Sequence, residues 1–319
     1  MDRVFESGAA VAAPTVPSSP SAGYPTAGNP ATGTIATKPG PYWFHQVTEE
    51  IRNAIVAAGL APSSTALDQL STAIGTIASK NSVVGALRNA KMALTSASAS
   101  AAFTADGIIA KTALSGIAYL LSAFNKTVNL ATTGAGGMDT GSAPTSGFVA
   151  LYAIYNASTS TANILAVDAT SSAAPEIYAG THMPSGYTAS ALISVWRTNS
   201  SGLMVIGTQC DRLISFPDVQ AFTISNDVYI SISGTLSLTG VVPPNAFSLF
   251  GNLKMGSASL TVYGWSVSGV NSVGMSGYDV YSAVPFSDLI LAAPQSLVYG
   301  VGTGSSPVTM TLYIDGYKF

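Results

Sequence analysis

The sequence predicts a mostly β protein with a short N-terminal helical segment. In order along the chain, we expect an extended leader, two helices with a short trimeric coiled coil, and two antiparallel β-sandwich-like domains. Three observations lead to this prediction. Seven of the 17 prolines lie between Pro14 and Pro41, among Gly, Ser, Thr and Ala. A helical apolar pattern then continues to Ile77, and from about Val83 short β-branched and aromatic runs alternate with turn residues.

These changes in pattern divide the chain into four parts. We expect a Pro/Gly-rich leader at residues 1–45, a helical stalk at 46–84, a middle β domain at 85–216 and a C-terminal β domain at 217–319. The last boundary is placed at Phe216-Pro217. A leader of this composition has too little apolar surface to offset its own ordering entropy. It is therefore expected to be held by neighbouring copies or by a partner.

The first helix is expected to begin at Thr48, because threonine caps helix N-termini and Glu49 and Glu50 then occupy the positively polarised first turn. Gly59 ends it. Its apolar residues fall on one face: Val47, Ile51, Ile55 and Ala58.

The second helix is expected to start with the capping-box-like segment Thr65–Asp68 and to end near Asn81. Its apolar residues repeat at spacings of 3, 4 and 3, the pattern of a coiled-coil core in which Ile at both core positions favours trimers. We call these four residues the Leu/Ile stripe: Leu67, Leu70, Ile74 and Ile77. The stripe covers barely two heptads, so the alternative is one amphipathic helix packed on its own domain.

The remainder of the chain consists of short strand patterns without intervening helical patterns, which favours antiparallel β-sandwiches. The longest apolar window, 107–124, is interrupted by Lys111. Ser115-Gly116 at its centre predicts a hairpin turn, so we expect no membrane insertion. The first residues also lack the basic and apolar regions of a signal peptide.

Few side chains are charged. Charged residues make up 8% of the chain, against roughly 25% in ordinary soluble proteins. Such a composition suits exposed β structures and fibrous proteins better than metabolic enzymes. A net charge of −3 without any Lys/Arg cluster gives no support for nucleic-acid binding. The single cysteine, Cys210, excludes an intrachain disulfide and suggests folding in a reducing cytoplasm.

No motif in the sequence predicts catalysis, a cofactor or a metal site. The glycine-rich segment 134–138 lacks the Gly-Lys-Ser/Thr of a phosphate loop and is expected to be a turn between strands. His45 is expected to pack with neighbouring aromatic rings, and His182 has no acidic partners at ligand spacing. No Gly-x-Ser-x-Gly elbow supports a Ser-His-Asp triad. Paired carboxylates for glycoside cleavage stay open as an alternative: Asp168 with Glu176, and Asp211 with Asp218.

Aromatic residues are the remaining candidates for a binding site. Rings with a polar edge suit glycan or protein recognition, although core packing is the alternative for each of them. The candidates for receptor contact are Tyr263, Trp265, Tyr278 and Tyr281.

Several long segments resemble bacteriophage tail fibre proteins. They are GYPTAGNP at 23–30, GPYWFHQVTEEIRNAIVAAGL at 40–60, FNKTVNLATTGAGGMDTG at 124–141, YAIYN at 152–156 and MPSGYTASALISVW at 183–196. Beyond 217 the resemblance is loose and rests on the closing YIDGYKF.

The resemblance implies a homotrimeric fibre of the virion tail, made in the host cytoplasm. Its N-terminus would hold tail or baseplate proteins and its C-terminus would contact a host-surface glycan or protein. The expected anchoring residues are Tyr24, Pro25, Tyr42, Trp43 and Phe44. The resemblance supplies no catalytic residues. Two alternatives are a fibre that cleaves surface polysaccharide and a collar or capsid fibre without a receptor role.

Overall fold

The computed structural model describes residues 2–3, 7–18, 23–226, 231–257, 263–270, 273–279, 282–302 and 308–319. At 226, 231–233, 255–257, 263–270, 273–279, 282, 301–302 and 308 it describes the backbone alone. The chain divides into two compact units, 1–82 and 83–319. The described residues are mostly β with two α-helices and antiparallel strand pairs, as the sequence predicts.

The first helix, α1, spans Pro41–Ala57 and begins earlier than Thr48. Pro41 occupies the first helical position, where its fixed φ suits a helix and its missing N–H costs nothing. The expected leader boundary at 45 therefore falls inside this helix. Gly59 follows the helix with φ +85° and donates its N–H to the Val56 carbonyl, which confirms the predicted end.

The second helix, α2, spans Gln69–Lys80 and is capped by Asn81, close to the predicted end. It starts later than the capping-box pattern suggested. The Gln69 side chain accepts from the Ser63 N–H at 2.9 Å and donates to the Ala61 carbonyl at 2.7 Å. These two bonds of the Gln69 side chain fix the segment that connects the helices in a non-helical conformation. Leu67 lies in this segment and therefore precedes α2.

Part of the leader is folded into a hydrogen-bonded loop at 26–37 rather than extended. Thr26 and Thr37 close it, and Asn29 exchanges backbone hydrogen bonds with Thr34 around the 3₁₀ turn Pro30–Thr32. Gly28 has φ +74°, and a Cβ there would lie 2.6 Å from the Ala36 nitrogen. This position therefore requires glycine.

The larger unit contains the strands. Their bounds are β1 Leu87–Arg88, β2 Lys91–Leu94, β3 Ser100–Lys111, β4 Ala118–Asn129, β5 Phe148–Asn156, β6 Thr161–Asp168, β7 Ala189–Arg197, β8 Gly207–Cys210, β9 Leu213–Asn226, β10 Ser231–Ser237, β11 Ser248–Ser257, β12 Tyr263–Val270, β13 Val273–Asp279, β14 Ser282–Ile290, β15 Ser296–Gly302 and β16 Val308–Lys318. The hairpin β3–β4 turns at 112–117, which confirms the predicted turn at Ser115-Gly116.

The described strands form two sheets. Twelve strands share one sheet, in the order β14-β11-β16-β9-β8-β2-β3-β7-β5-β6, with β1 and β4 paired to β3. The other sheet has the order β10-β15-β12-β13. In the large sheet, β5 from Phe148 to Ile154 and β7 from Ala189 to Trp196 are buried at every residue, so both of their faces are covered. The core is centred on these strands.

The expected domain boundary at Phe216-Pro217 falls inside β9. This strand pairs with β8 on one side and with the C-terminal β16 on the other, so one sheet contains strands from both predicted domains. Proline interrupts a ladder, but Pro217 lies where the β9–β16 register shifts, between the pairs Gly316↔Ser215 and Ile314↔Val219. A bulge tolerates the missing N–H, and the strand continues.

Two of the largest buried side chains use their polar atoms in hydrogen bonds. Trp196 donates to the Val205 carbonyl at 2.9 Å, and the Tyr317 hydroxyl donates to the Val195 carbonyl at 2.5 Å. Burial raises the pKa of Tyr317 well above its ordinary value. The Tyr317 bond joins β16, at the C-terminus, to β7 in the centre of the core.

Candidate interaction surfaces

The Leu/Ile stripe is exposed in the described chain. Leu67 is 98% exposed, Ile74 60%, and Leu70 and Ile77 39% each. On α2, residues 70, 74 and 77 share one face because they are four and three positions apart. The structure therefore brings three stripe residues together on a helix face, whereas Leu67 lies outside the helix.

A different set of residues packs α2 against α1. Ile55 and Ala73 are fully buried and form a small cluster with Ala58, against which Ile51 and Leu60 pack. This agrees with the predicted apolar face of α1, although Val47, another residue of that predicted face, is 40% exposed. The contact between the helices uses Ala73 and leaves the stripe available.

The first turn of α1 presents aromatic side chains. Trp43 is 50% exposed and Phe44 54%, and their rings meet edge to face at 5.1 Å. The ring centroids of Tyr42 and His45 lie 6.3 Å apart, so His45 packs beside an aromatic ring as expected. Of the predicted anchoring residues in this helix, Trp43 and Phe44 are exposed and in contact, whereas Tyr42 is half-buried beside His45. The other two, Tyr24 and Pro25, are exposed just before the leader loop.

N-terminal residues lie against the same helix. The Arg3 Nε donates to Glu49 Oε1 at 2.7 Å, and Arg52 Nε lies 3.5 Å from Asp2 Oδ1. The hydrogen bond from Arg3 lowers the pKa of Glu49. Residues 9–14 and the helix line an open groove of about 490 Å³ beside Phe44. The sequence analysis did not predict these pairs. The opposite charges at residues 2–3 and at residues 49 and 52 were the signal that could have indicated them.

The predicted receptor residues fall largely outside the described structure. Tyr281 lies outside the described residues, as do the side chains of Tyr263, Trp265 and Tyr278. The backbone register of β12 and β13 pairs Tyr263 with Asp279, Gly264 with Tyr278 and Trp265 with Gly277. No two of these aromatic residues are therefore direct cross-strand partners within the described backbone.

One of the candidate acids forms a partly buried ion pair. Glu176 accepts from Arg212 Nη1 at 2.7 Å and from Nη2 at 2.5 Å. The same guanidinium bonds the carbonyls of Gly85 and Leu192 and lies 5.4 Å from the centre of the Phe319 ring. A bidentate pair with these additional contacts ties β7, the start of β9 and the C-terminus together.

The other candidate acids also have structural partners. Asp168 accepts from the Thr170 N–H and Asp211 from the Ala90 N–H, both at 2.9 Å. The register of β9 and β16 places Asp218 opposite Asp315, a pairing that sequence reasoning did not propose.

The remaining motifs have local roles. The 134–138 segment is a turn between β4 and β5, as predicted, and hydrogen-bonds to β6 through Gly136 N–H and the Ile164 carbonyl at 2.7 Å. His182 is exposed, and its backbone N–H donates to the Tyr178 hydroxyl. In the part of the chain that the structure describes, no three His, Cys, Asp or Glu side chains gather at metal-binding distance. No helix among the described residues is long and apolar enough to cross a membrane.

Comparison with protein-family models and with curated proteins finds no match to this chain.

Proposed function

We propose that this protein is a homotrimeric bacteriophage tail fibre, anchored to the tail by its N-terminus and attaching to the host cell through its C-terminal strands. The exposed Leu/Ile stripe on α2 is the observation that carries the proposal. Three large apolar side chains on one helix face, beside a separate contact with α1, favour association with further helices.

The stripe is short, so the helices contribute only part of the association. Isolated helices of this length are marginal in water. The β unit offers further apolar surface: Leu114 is 72% exposed, Leu120 65% and Ile290 68%. Copies of a chain with 8% charged residues meet with little charge repulsion. We therefore assign most of the association energy to the β unit and the register to the stripe.

The anchoring role belongs to the N-terminal unit in this proposal. The exposed rings of Trp43 and Phe44 and the leader loop offer an apolar and hydrogen-bonding surface without strong charge. Host contact belongs to the C-terminal segment, about residues 225–319, whose sequence contains Tyr263, Trp265, Tyr278 and Tyr281. Each such site is expected to be weak, and several fibres on one particle raise the effective concentration.

Two measurements test the proposal. Light scattering on the purified full chain should give three times the chain mass of 32.3 kDa. A mass of one chain at all concentrations would refute the homotrimer. Labelling the C-terminus on intact phage particles should place it at the free end of a tail fibre, and a label found on a capsid or collar would refute the tail assignment.

A further inference from the structure

Asp315 lies at a register shift in both ladders of β16. It is the extra residue opposite β11, whereas opposite β9 the extra residues belong to β9. On one side, β16 pairs Ile314 with Val219 and Gly316 with Ser215 of β9. On the other side, it pairs Ile314 with Gly251 and Gly316 with Phe250 of β11. Asp315 is therefore skipped in both ladders. A Cβ at Gly316 would lie 2.0 Å from the Phe250 ring and 2.2 Å from the Ile214 carbonyl. The backbone at this register shift therefore requires glycine at position 316.

The bulge brings the Asp315 carboxyl between two strands. Its Oδ2 accepts from the Asn252 side chain of β11 at 2.8 Å. Its Oδ1 is buried and has no hydrogen-bond donor among the described residues. The register places Asp218, in the unpaired segment of β9, opposite Asp315, and the Asp218 carboxylate disfavours the charged form of Asp315. A buried acceptor opposite a second acceptor is unfavourable unless a proton lies between them.

The other charged group near this carboxyl is Lys254, on β11. Its ammonium lies over the Tyr313 ring of β16, 4.2 Å from the ring centre. Lys254 is exposed and offsets only part of the repulsion between the two carboxylates. Burial, followed by the repulsion from Asp218, raises the pKa of Asp315 from 3.8 to about 6.

We propose that Asp218 and Asp315 form a proton-sensitive joint that holds β9, β16 and β11 together in acid and loosens as the pH rises to neutral. In the large sheet, the C-terminal strands β14, β11 and β16 lie on one side of β9, and the strands before residue 213 lie on its other side. The joint lies at the border between these two groups of strands. Loosening it would increase the freedom of the C-terminal strands relative to the central ones. The inference does not depend on the proposed function.

The direction and size follow from proton linkage. The pKa of Asp315 is raised in the closed joint, so protonation of Asp315 stabilises the closed joint over the open one. This stabilisation is complete below the ordinary pKa of 3.8 and is lost as the pH rises through about 6. If opening the joint restores the ordinary value, the opening equilibrium increases about tenfold between about pH 5 and pH 7.5. Asp315 is partly exposed, so tenfold is an upper value.

Hydrogen exchange of the full-length protein, corrected for the intrinsic pH dependence, tests the joint. Protection of β9 and β16 peptides should fall up to about tenfold from about pH 5 to pH 7.5, while the β3–β4 hairpin should not change. Asp315→Asn and Asp218→Asn should each remove this difference, since an amide can donate to the facing oxygen. Should Asp315→Asn fail to fold, Asp218→Asn alone decides.

Asp288→Asn is the matched control. Asp288 pairs with Lys318, which lowers its pKa, and its φ of +56° is one that asparagine tolerates. This variant should keep the wild-type pH difference. Equal wild-type protection at both pH values, or an unchanged difference in both joint variants, would overturn the proposal. The proposal would also be overturned if millimolar Ca²⁺ raised the protection of the wild-type protein at pH 7.5 to its level at pH 5. The two carboxyls would then bind a cation rather than share a proton.

Discussion

Replacing Ile74 by serine removes the most exposed apolar side chain of the stripe within α2. Burying a whole isoleucine side chain is worth about 2 kcal/mol. In the single chain 60% of Ile74 is exposed, so a trimer that buries this exposed part gains about 1.2 kcal/mol per chain from this residue. Three chains together lose about 3.6 kcal/mol, which raises the trimer dissociation constant about 450-fold. The concentration of half-dissociation scales with the square root of that constant and should rise about 20-fold.

Sedimentation velocity over a concentration series measures this shift. Isoleucine and serine have similar helix propensities, so the helix itself should be unaffected. Thr72→Ser is the matched control, because Thr72 is exposed on another face of α2 and its hydroxyl bond to the Asp68 carbonyl is one that serine retains. An unchanged midpoint for Ile74→Ser would refute the stripe as a contact between chains. So would an equal shift in the control.

Three further predictions concern the ion pair, the leader and the C-terminal rings. Arg212→Gln should lower the free energy of unfolding by about 2 kcal/mol in urea titration, because it breaks a partly exposed bidentate pair and two carbonyl bonds. Glu176→Gln, which keeps the carbonyl bonds, should cost less, and equal costs would contradict this. Deleting residues 1–40 should leave a folded trimer that is missing from virions, and particles that retain the truncated fibre would refute the anchor. Trp265→Ala should reduce adsorption to host cells without changing the mass of the assembly, and unchanged adsorption would exclude Trp265 as a receptor contact.

The expected domain boundary at Phe216-Pro217 shows why joining the C-terminal residues of one fibre to another would require the tertiary structure. A chimera joined at 217 would cut β9 in the middle and separate it from β16, its partner along much of its length. From the sequence alone, the boundary was placed at Phe216-Pro217. The register shift that accommodates Pro217 forms only where β9 pairs with β16, a strand about 100 residues later in the chain, so no local pattern could indicate it.

Local conformational chemistry by itself determined several features of this protein. The end of α1 at Gly59, the hairpin turn at Ser115-Gly116 and the turn at 134–138 depend on residues within a few positions of each other. The mostly β character follows from the dense short strand patterns after Val83. The sequence also identified the apolar face of α2, because helical spacing places residues 70, 74 and 77 together in any setting.

Tertiary structure decided which of these features meet. Whether an apolar helix face is covered depends on its neighbour, and α1 covers Ala73 rather than the stripe. Whether a strand belongs to one domain or another depends on its partners, and β9 has partners from both halves of the β unit. The contact of Asp218 with Asp315 arises because register shifts in two ladders direct one carboxyl toward another. Strand register is set by the packing of the whole sheet, and that information is not present in any short segment of the chain.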